Sequence, residues 1–156
     1  MTGAVQQEKF VPGITLRFQV TIEGLDLGAW KSCKGLTVSF KHKPIYEGGN
    51  YESPVSMLAE QLEYQTITLQ RAIANSTSST VQAYLKQVAA SWFHAPSCDY
   101  RGGTGSITLY DASLAPVYTW NLRGVYPVKW AGPDLDAMGS GGVALETLEL
   151  AHQGFL

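Results

Sequence analysis

The side chains with the most chemistry to offer are few and far apart. Cys33 and Cys98 are the two cysteines, and His42, His94 and His152 are the three histidines. A zinc site needs about four converging N or S ligands, and neither a CxxC pair nor a His–His spacing is present, so no metal site is expected. Without a secretory signal, two free thiols are a better reading than a disulfide. Gly102-Gly103-Thr104-Gly105 has the look of a phosphate-cradling loop. No Lys-Ser/Thr follows it, and a strand rather than a helix comes next, so it reads as a turn. Gly139-Ser140-Gly141 is not the GxSxG of a nucleophile elbow. Asp134 and Asp136 form the one close acidic pair, but they sit beside Gly132-Pro133 in a loop. General acid–base chemistry needs a rigid, partly buried pair, so they read as solvated acids. His94, at the end of a helix, is placed to meet the last carbonyls and the helix dipole. No catalytic residue and no cofactor is expected, and the chain is not read as an enzyme.

The composition agrees with a non-catalytic part. At 156 residues the chain fits one domain, and chains of this size bury about 70% of their unfolded surface. Charged residues make up only 15% and the net charge is −2, below the usual charged share of about 25%. Such a neutral surface suits extensive burial against other subunits and carries no basic footprint for nucleic acid. No apolar run of about 18 residues is present, so no membrane insertion by this chain is expected. The first residues, MTGAVQQEKFVPG, lack a charged start followed by an apolar stretch, so synthesis in the cytoplasm without a signal peptide is expected.

The elements follow from periodicity. Residues 1–13 read as a flexible arm ending in a turn. Leu16, Phe18, Val20 and Ile22 alternate with Thr15, Arg17, Gln19 and Thr21, a period of two that defines strand one. Gly24 to Gly28 reads as a turn. A second strand spans about Trp30 to His42, with a bulge or bend at Gly35. Residues 44–61 form a long connection without a sustained period, and a loop of that length in a compact domain is usually functional or disordered. The strand at 62–71 changes apolar phase between Tyr64 and Ile67. Val81, Tyr84, Leu85, Val88, Ala89, Trp92 and Phe93 recur at helical spacing, and Ser79 with Gln82 reads as a capping box. This predicts one helix over about 79–94, ended by Pro96. Ser106–Tyr110 and Pro116–Val128 form a hairpin across Asp111–Ala115, and Val143–Ala151 is the last strand. Trp30, Trp92, Trp120 and Trp130 read as core or interface anchors. The fold expected is mainly β: an antiparallel barrel or sandwich of about six to seven strands, with one packed helix and a long extension between strands two and three.

That extension is the candidate site. Tyr46, Glu47, Gly48, Gly49, Asn50, Tyr51, Val55, Met57 and Leu58 place several apolar side chains in a loop too long to serve only as a link. A contiguous exposed apolar patch usually marks a contact, and burying one Met or Leu is worth roughly 1.5–3 kcal/mol.

Four segments in order carry a resemblance: Leu16-Arg17-Phe18-Gln19-Val20, Tyr46-Glu47-Gly48-Gly49, Ile67-Thr68-Leu69-Gln70-Arg71, and Leu148-Glu149-Leu150-Ala151-His152-Gln153-Gly154-Phe155. Together they resemble the tail-tube proteins of contractile phage tails and of phage-tail-like contractile injection systems. The resemblance implies a β-barrel with a side helix, joined into hexameric rings that stack into an inner tube around a lumen through which cargo passes. It implies that Tyr46 to Gln61 bridges to a neighbouring ring, and that sheath and baseplate or spike proteins are partners. Polar strand faces, among them Thr15, Arg17, Gln19 and Thr21, would line the lumen. Family members often carry Pro-Gly before the Ile67-like strand and Arg-Gly after it. Here Met57-Leu58-Ala59-Glu60 and Arg71-Ala72-Ile73 stand there, which keeps a tube initiator or baseplate adaptor as an alternative. A monomeric barrel holding a small apolar ligand is the alternative of another class.

Overall fold

The computed structural model describes residues 18–139 and 141–156. The expected arm at 1–13, Thr15, Leu16, Arg17 and Ser140 lie outside these residues. Nine strands and one helix follow in order: β1 (Phe18–Ile22), β2 (Leu25–Ala29), β3 (Ser32–Lys34), β4 (Val38–Ile45), β5 (Ser56–Tyr64), β6 (Ile67–Ala72), α1 (Asn75–Trp92), β7 (Gly103–Tyr110), β8 (Pro116–Ala131) and β9 (Leu145–Ala151).

Seven strands form one sheet in the order β2-β1-β7-β8-β9-β6-β3, and β4 and β5 form a separate two-stranded sheet. Every pairing is antiparallel. The long β8 serves two layers. Pro116 to Val125 pair with β7, and Tyr126 to Ala131 pair with β9. Gly124, at φ +55°, marks the changeover, where a Cβ would lie 2.4 Å from the Gln153 side chain. Edge strands β2 and β3 are consecutive in the chain, with Trp30 and Lys31 between them. No ladder joins them, so the fold is a sandwich and not a closed barrel.

Alternation positions the core. Val20 and Ile22 on β1, Ile107 on β7 and Leu122 and Val125 on β8 come from one layer. Ile67, Leu69, Leu148 and Leu150 come from the other. In β6 and β9 the inward positions pair row by row: Ile67 with Leu150, Leu69 with Leu148, and Arg71 with Glu146. Val81, Tyr84 and Val88 are the buried helix residues.

Several local expectations change. Leu25–Ala29 is strand β2, and the turn before it is only Glu23-Gly24, both at positive φ. The helix begins at Asn75, four residues earlier than the Ser79 signal. Ser79 is the fifth residue of the helix and gives its hydroxyl to the Asn75 carbonyl, so the Ser79–Gln82 capping box does not form. Phe93, expected on the packed face, is exposed beyond the helix end. The strand expected to end at His42 breaks at Gly35, and the one expected from 62 breaks at Gln65-Thr66. Of residues 44–61, expected to be irregular, Pro44, Ile45 and 56–61 belong to strands β4 and β5, and 46–55 form the irregular tip between them.

A candidate assembly arm and its root

The β4–β5 hairpin is an arm. Apart from Val38, Ser39 and Tyr64, every one of its strand residues is exposed. Cross-strand partners share a face, so the register sorts its side chains. Val38 stands opposite Tyr64 and Phe40 opposite Leu62; beyond a bulge between Lys41 and His42, His42 stands opposite Ala59 and Pro44 opposite Met57. One face is therefore almost wholly apolar. The other carries Ser39, Lys41, Gln61 and Glu63, with Lys41 Nζ 3.2 Å from Glu63 Oε2. Both partners of that pair are half exposed, which limits it to about 0.2–1 kcal/mol. The bulge leaves Glu60 without an opposite residue, and this keeps Met57 and Ala59 on the same face as Leu62 and Tyr64. On the apolar face Phe40 is 63% exposed, Met57 56% and Leu62 48%.

The arm's tip spans Tyr46 to Val55. Asn50 donates its N–H to the Glu47 carbonyl at 3.0 Å, Gly49 takes φ +87°, and the Val55 N–H closes the tip on the Ile45 carbonyl at 2.9 Å. The nine residues singled out from sequence divide accordingly. Tyr46, Glu47, Gly48, Gly49, Asn50, Tyr51 and Val55 belong to the tip, where Tyr51 is 82% exposed. Met57 and Leu58 lie on β5 and face opposite ways, Met57 to the apolar side and Leu58 opposite Lys43. Sequence reasoning missed Val38, Phe40, Pro44 and Leu62. For the three on β4 the signal is its alternation, which extends past His42 to Pro44.

The root of the arm is tightly specified. Lys34 pairs with Thr68 and Val38 with Tyr64, four residues further along each strand, so the register passes unbroken from body to arm. Between them the ribbon bends at Gly35, φ +98°, where a Cβ would lie 2.1 Å from the Thr66 carbonyl oxygen. Only glycine suits that backbone. On the other strand, the Tyr64 ring meets the His152 ring edge-on at 5.4 Å and the Phe155 ring at 5.3 Å. His152 Nε2 lies 3.2 Å from the Gln65 carbonyl oxygen. A carbonyl only accepts, so Nε2 carries the proton. Burial lowers the His152 pKa, opposed by the Gln65 carbonyl.

Toward the other end of β6, a buried polar network locks the layers and the helix together. Arg71 Nε donates to Glu146 Oε1 at 2.7 Å, and the guanidinium also donates to the Leu27 carbonyl and, at 2.8 Å, to the Thr77 carbonyl. Ser78 Oγ donates to Glu146 Oε1 at 3.0 Å and Trp130 Nε1 to Glu146 Oε2 at 3.2 Å. The Arg71 guanidinium stacks 4.0 Å over Trp30. A carboxylate at a helix N-terminus also suits the dipole. This network has the residue types of a catalytic centre but satisfies itself internally, so it reads as structural.

The remaining sequence candidates do not converge. Asp134 and Asp136 are exposed loop acids, and His94 is exposed past the helix end. Among the described residues no group of three or more His, Cys, Asp or Glu could hold a metal ion. Cys33 and Cys98 are both free. Cys33 lines an apolar groove of about 360 Å³ with Phe18, Leu36, Ile107, Leu109 and Trp120, and burial pushes its thiol up to about 11. No helix among the described residues is long and apolar enough to cross a membrane.

Comparison with known proteins gives this geometry a context. A family model described as T4-like virus tail tube protein gp19 matches residues 14–156. No curated protein matches the chain. Among solved structures, a chain of the six-fold-symmetrised anti-feeding prophage baseplate is 26% identical, covering 94% of this chain and 95% of its own, with a TM-score of 0.68. A chain of the PVC sheath–tube complex, an extracellular contractile injection system in its extended state, is 19% identical over 92% of this chain and 88% of its own, at a TM-score of 0.67. A chain of the PVC sheath/tube terminator is 19% identical over 97% and 96%, also at 0.67. These last two are likenesses of fold.

Proposed function

This chain belongs to the T4-like virus tail tube protein family, and from that premise we propose that its copies close into six-membered rings which stack into a hollow tube, with the β4–β5 arm as the ring-to-ring contact. The family is one of structural proteins, and the chain is a tube-type subunit of a phage tail or tail-like contractile particle, not an enzyme.

The observation that carries the proposal is the arm's exposed apolar face. A two-stranded hairpin is marginal in water by itself. Here Phe40, Met57 and Leu62 stand out into solvent together, at a cost relieved only when another surface covers them. Among the described residues, none of these three side chains belongs to the core cluster or packs against it. A head-to-tail contact whose rotation closes gives a ring, and an axial contact adds ring upon ring. Within such a particle the tube's outer surface would meet the sheath, its end the baseplate or spike proteins, and its lumen the cargo. The solved likenesses come from assemblies of those kinds.

A tube initiator or adaptor at the baseplate is the second reading, favoured by the 26% likeness to a chain of a baseplate structure. Negative-stain electron microscopy with size-exclusion chromatography of the full chain separates the two. Rings and stacked tubes formed by the chain alone support the tube subunit. Single rings that stack only on an added template support the initiator. A strict monomer at high concentration, with or without template, overturns both.

A further inference from the structure

We infer that the C-terminal segment His152–Phe155 is a latch that sets the direction of the arm, holding it at Tyr64 and Gln65 against a hinge at Gly35. The inference deepens the reading of the arm as the assembly contact and rests on it for its consequence, the alignment of arms between rings. The latch itself is a property of the single chain.

Three features make a hinge of the root. The register runs through it without gain or loss of a residue, so body and arm are one ribbon. At the root the ribbon's ladder is interrupted at Gly35–Thr37 and Gln65-Thr66, bridged by a long Gln65 N–H to Thr37 carbonyl contact of 3.4 Å. Apart from Tyr64, which meets the Phe155 ring, no arm residue among those described belongs to the core cluster or packs against it.

The latch is anchored elsewhere. The Gln153 N–H donates to the Arg123 carbonyl at 2.7 Å and the Arg123 N–H to the Gly154 carbonyl at 3.0 Å, which ties the segment to β8. At Gly154 a Cβ would lie 2.7 Å from Arg123 Nη2 and 2.8 Å from the Tyr64 ring. The segment is therefore wedged between β8 and the arm's last residue. From there the His152 and Phe155 rings flank Tyr64, and His152 bonds the Gln65 carbonyl. A residue four places from the end of the chain thus holds the strand that leaves the body.

The latch is also sensitive to protonation. His152 Nδ1 and the Tyr64 hydroxyl are buried and have no hydrogen-bond partner among the described residues. The titratable or charged groups about the cluster are the Tyr64 phenol on the arm and the Arg123 guanidinium on β8; the Gln65 carbonyl and the Phe155 ring complete its surroundings. Burial lowers the His152 pKa and the Gln65 carbonyl opposes it. A second proton would charge a half-buried ring whose Nδ1 meets no acceptor among the described residues. The folded pKa lies below the ordinary value, so the closed latch is favoured above that value and weakened as pH falls below it.

The test is a distance measurement on the full chain. Nitroxide labels go at Tyr51→Cys on the tip and Lys86→Cys on the exposed face of α1, with Cys33→Ser and Cys98→Ser, and the distribution is read by double electron–electron resonance. A narrow distribution is expected at pH 7.5, broadening at pH 5. The His152→Gln protein keeps an amide donor for Gln65 but cannot titrate, and should stay narrow at both. Phe155→Ala with His152→Ala should be broad at both. Where that double variant fails to fold by circular dichroism, the pH comparison of wild type with His152→Gln decides. Equal widths throughout, or equal broadening of wild type and His152→Gln at pH 5, would overturn the latch. A latch-dependent distribution in a chain that never forms rings would count against the tube and not against the latch.

Discussion

Arg71 and Glu146 face each other across β6 and β9 with Nε and Oε1 2.7 Å apart, on the inward side of the sandwich where neither is more than 4% exposed. Each also serves other elements: Arg71 holds the carbonyls of Leu27 and Thr77, and Glu146 accepts from Ser78 and Trp130. Removing one partner of a buried pair leaves an uncompensated charge, at about 3–5 kcal/mol. Glu146→Ala should lose that much in urea unfolding. Arg71→Met combined with Glu146→Leu should lose clearly less than Glu146→Ala, because no bare charge remains.

The arm's apolar face should matter to assembly and not to the fold. Phe40→Ser with Leu62→Ser removes one exposed cross-strand pair, worth less than about 1 kcal/mol to the single chain. The same change places two hydroxyls in the proposed ring contact. The expected result is a melting curve close to wild type together with loss of stacked tubes in electron micrographs. Normal tubes would show that the contact lies elsewhere.

Gly35 and Gly48 make a matched pair of substitutions. At Gly35 an alanine meets the Thr66 carbonyl at 2.1 Å and must adopt φ +98°, a conformation that costs of order 1–3 kcal/mol before the clash is counted. At Gly48 nothing lies within 4 Å. Gly35→Ala should destabilise the chain or redirect the arm, read by urea unfolding and hydrogen exchange at β4. Gly48→Ala should change stability by less than about 0.5 kcal/mol.

The two thiols should react at very different rates. Cys98 is exposed, whereas Cys33 lines the apolar groove and is pushed up to about 11. At pH 8 about one Cys33 thiol in a thousand is then ionised. Maleimide with mass spectrometry should label Cys98 first and leave Cys33 until the pH approaches 11 or the chain is unfolded. The folded thiol's raised pKa also means that stability falls as pH rises from the ordinary thiol value of 9.0 towards about 11.

Much of the fold was legible in local spacing. The period of two in Val20–Ile22, the helical spacing of Val81, Tyr84 and Val88, and the Asp111–Ala115 connection all appear as read. The phase change between Tyr64 and Ile67 was also real, and marks where one strand of the arm enters the sheet. The arm's regularity stayed hidden for a physical reason. Its bulge at Glu60 shifts the apolar positions from Leu62 and Tyr64 to Met57 and Ala59, so no single period runs through β5. Pro44, which reads as a breaker, is tolerated because β4 is an edge strand. The helix start was missed because Ser78, not Ser79, supplies the side-chain bond, accepting from the Ala74 N–H. Glu146 could not be found from sequence at all, since its ionic partner lies 75 positions away and nothing in its own neighbourhood marks it as buried.

The two layers of the sandwich share strand β8 along one side, and on the other side the chain crosses between their edge strands through Trp30 and Lys31 alone. Mechanically this is a clasp. Shear that slides one layer over the other must strain β8 or draw taut a covalent span of two residues, and Trp30 in that span is itself pinned beneath the Arg71 guanidinium. The two layers can therefore resist shear as a unit without a disulfide between the free Cys33 and Cys98.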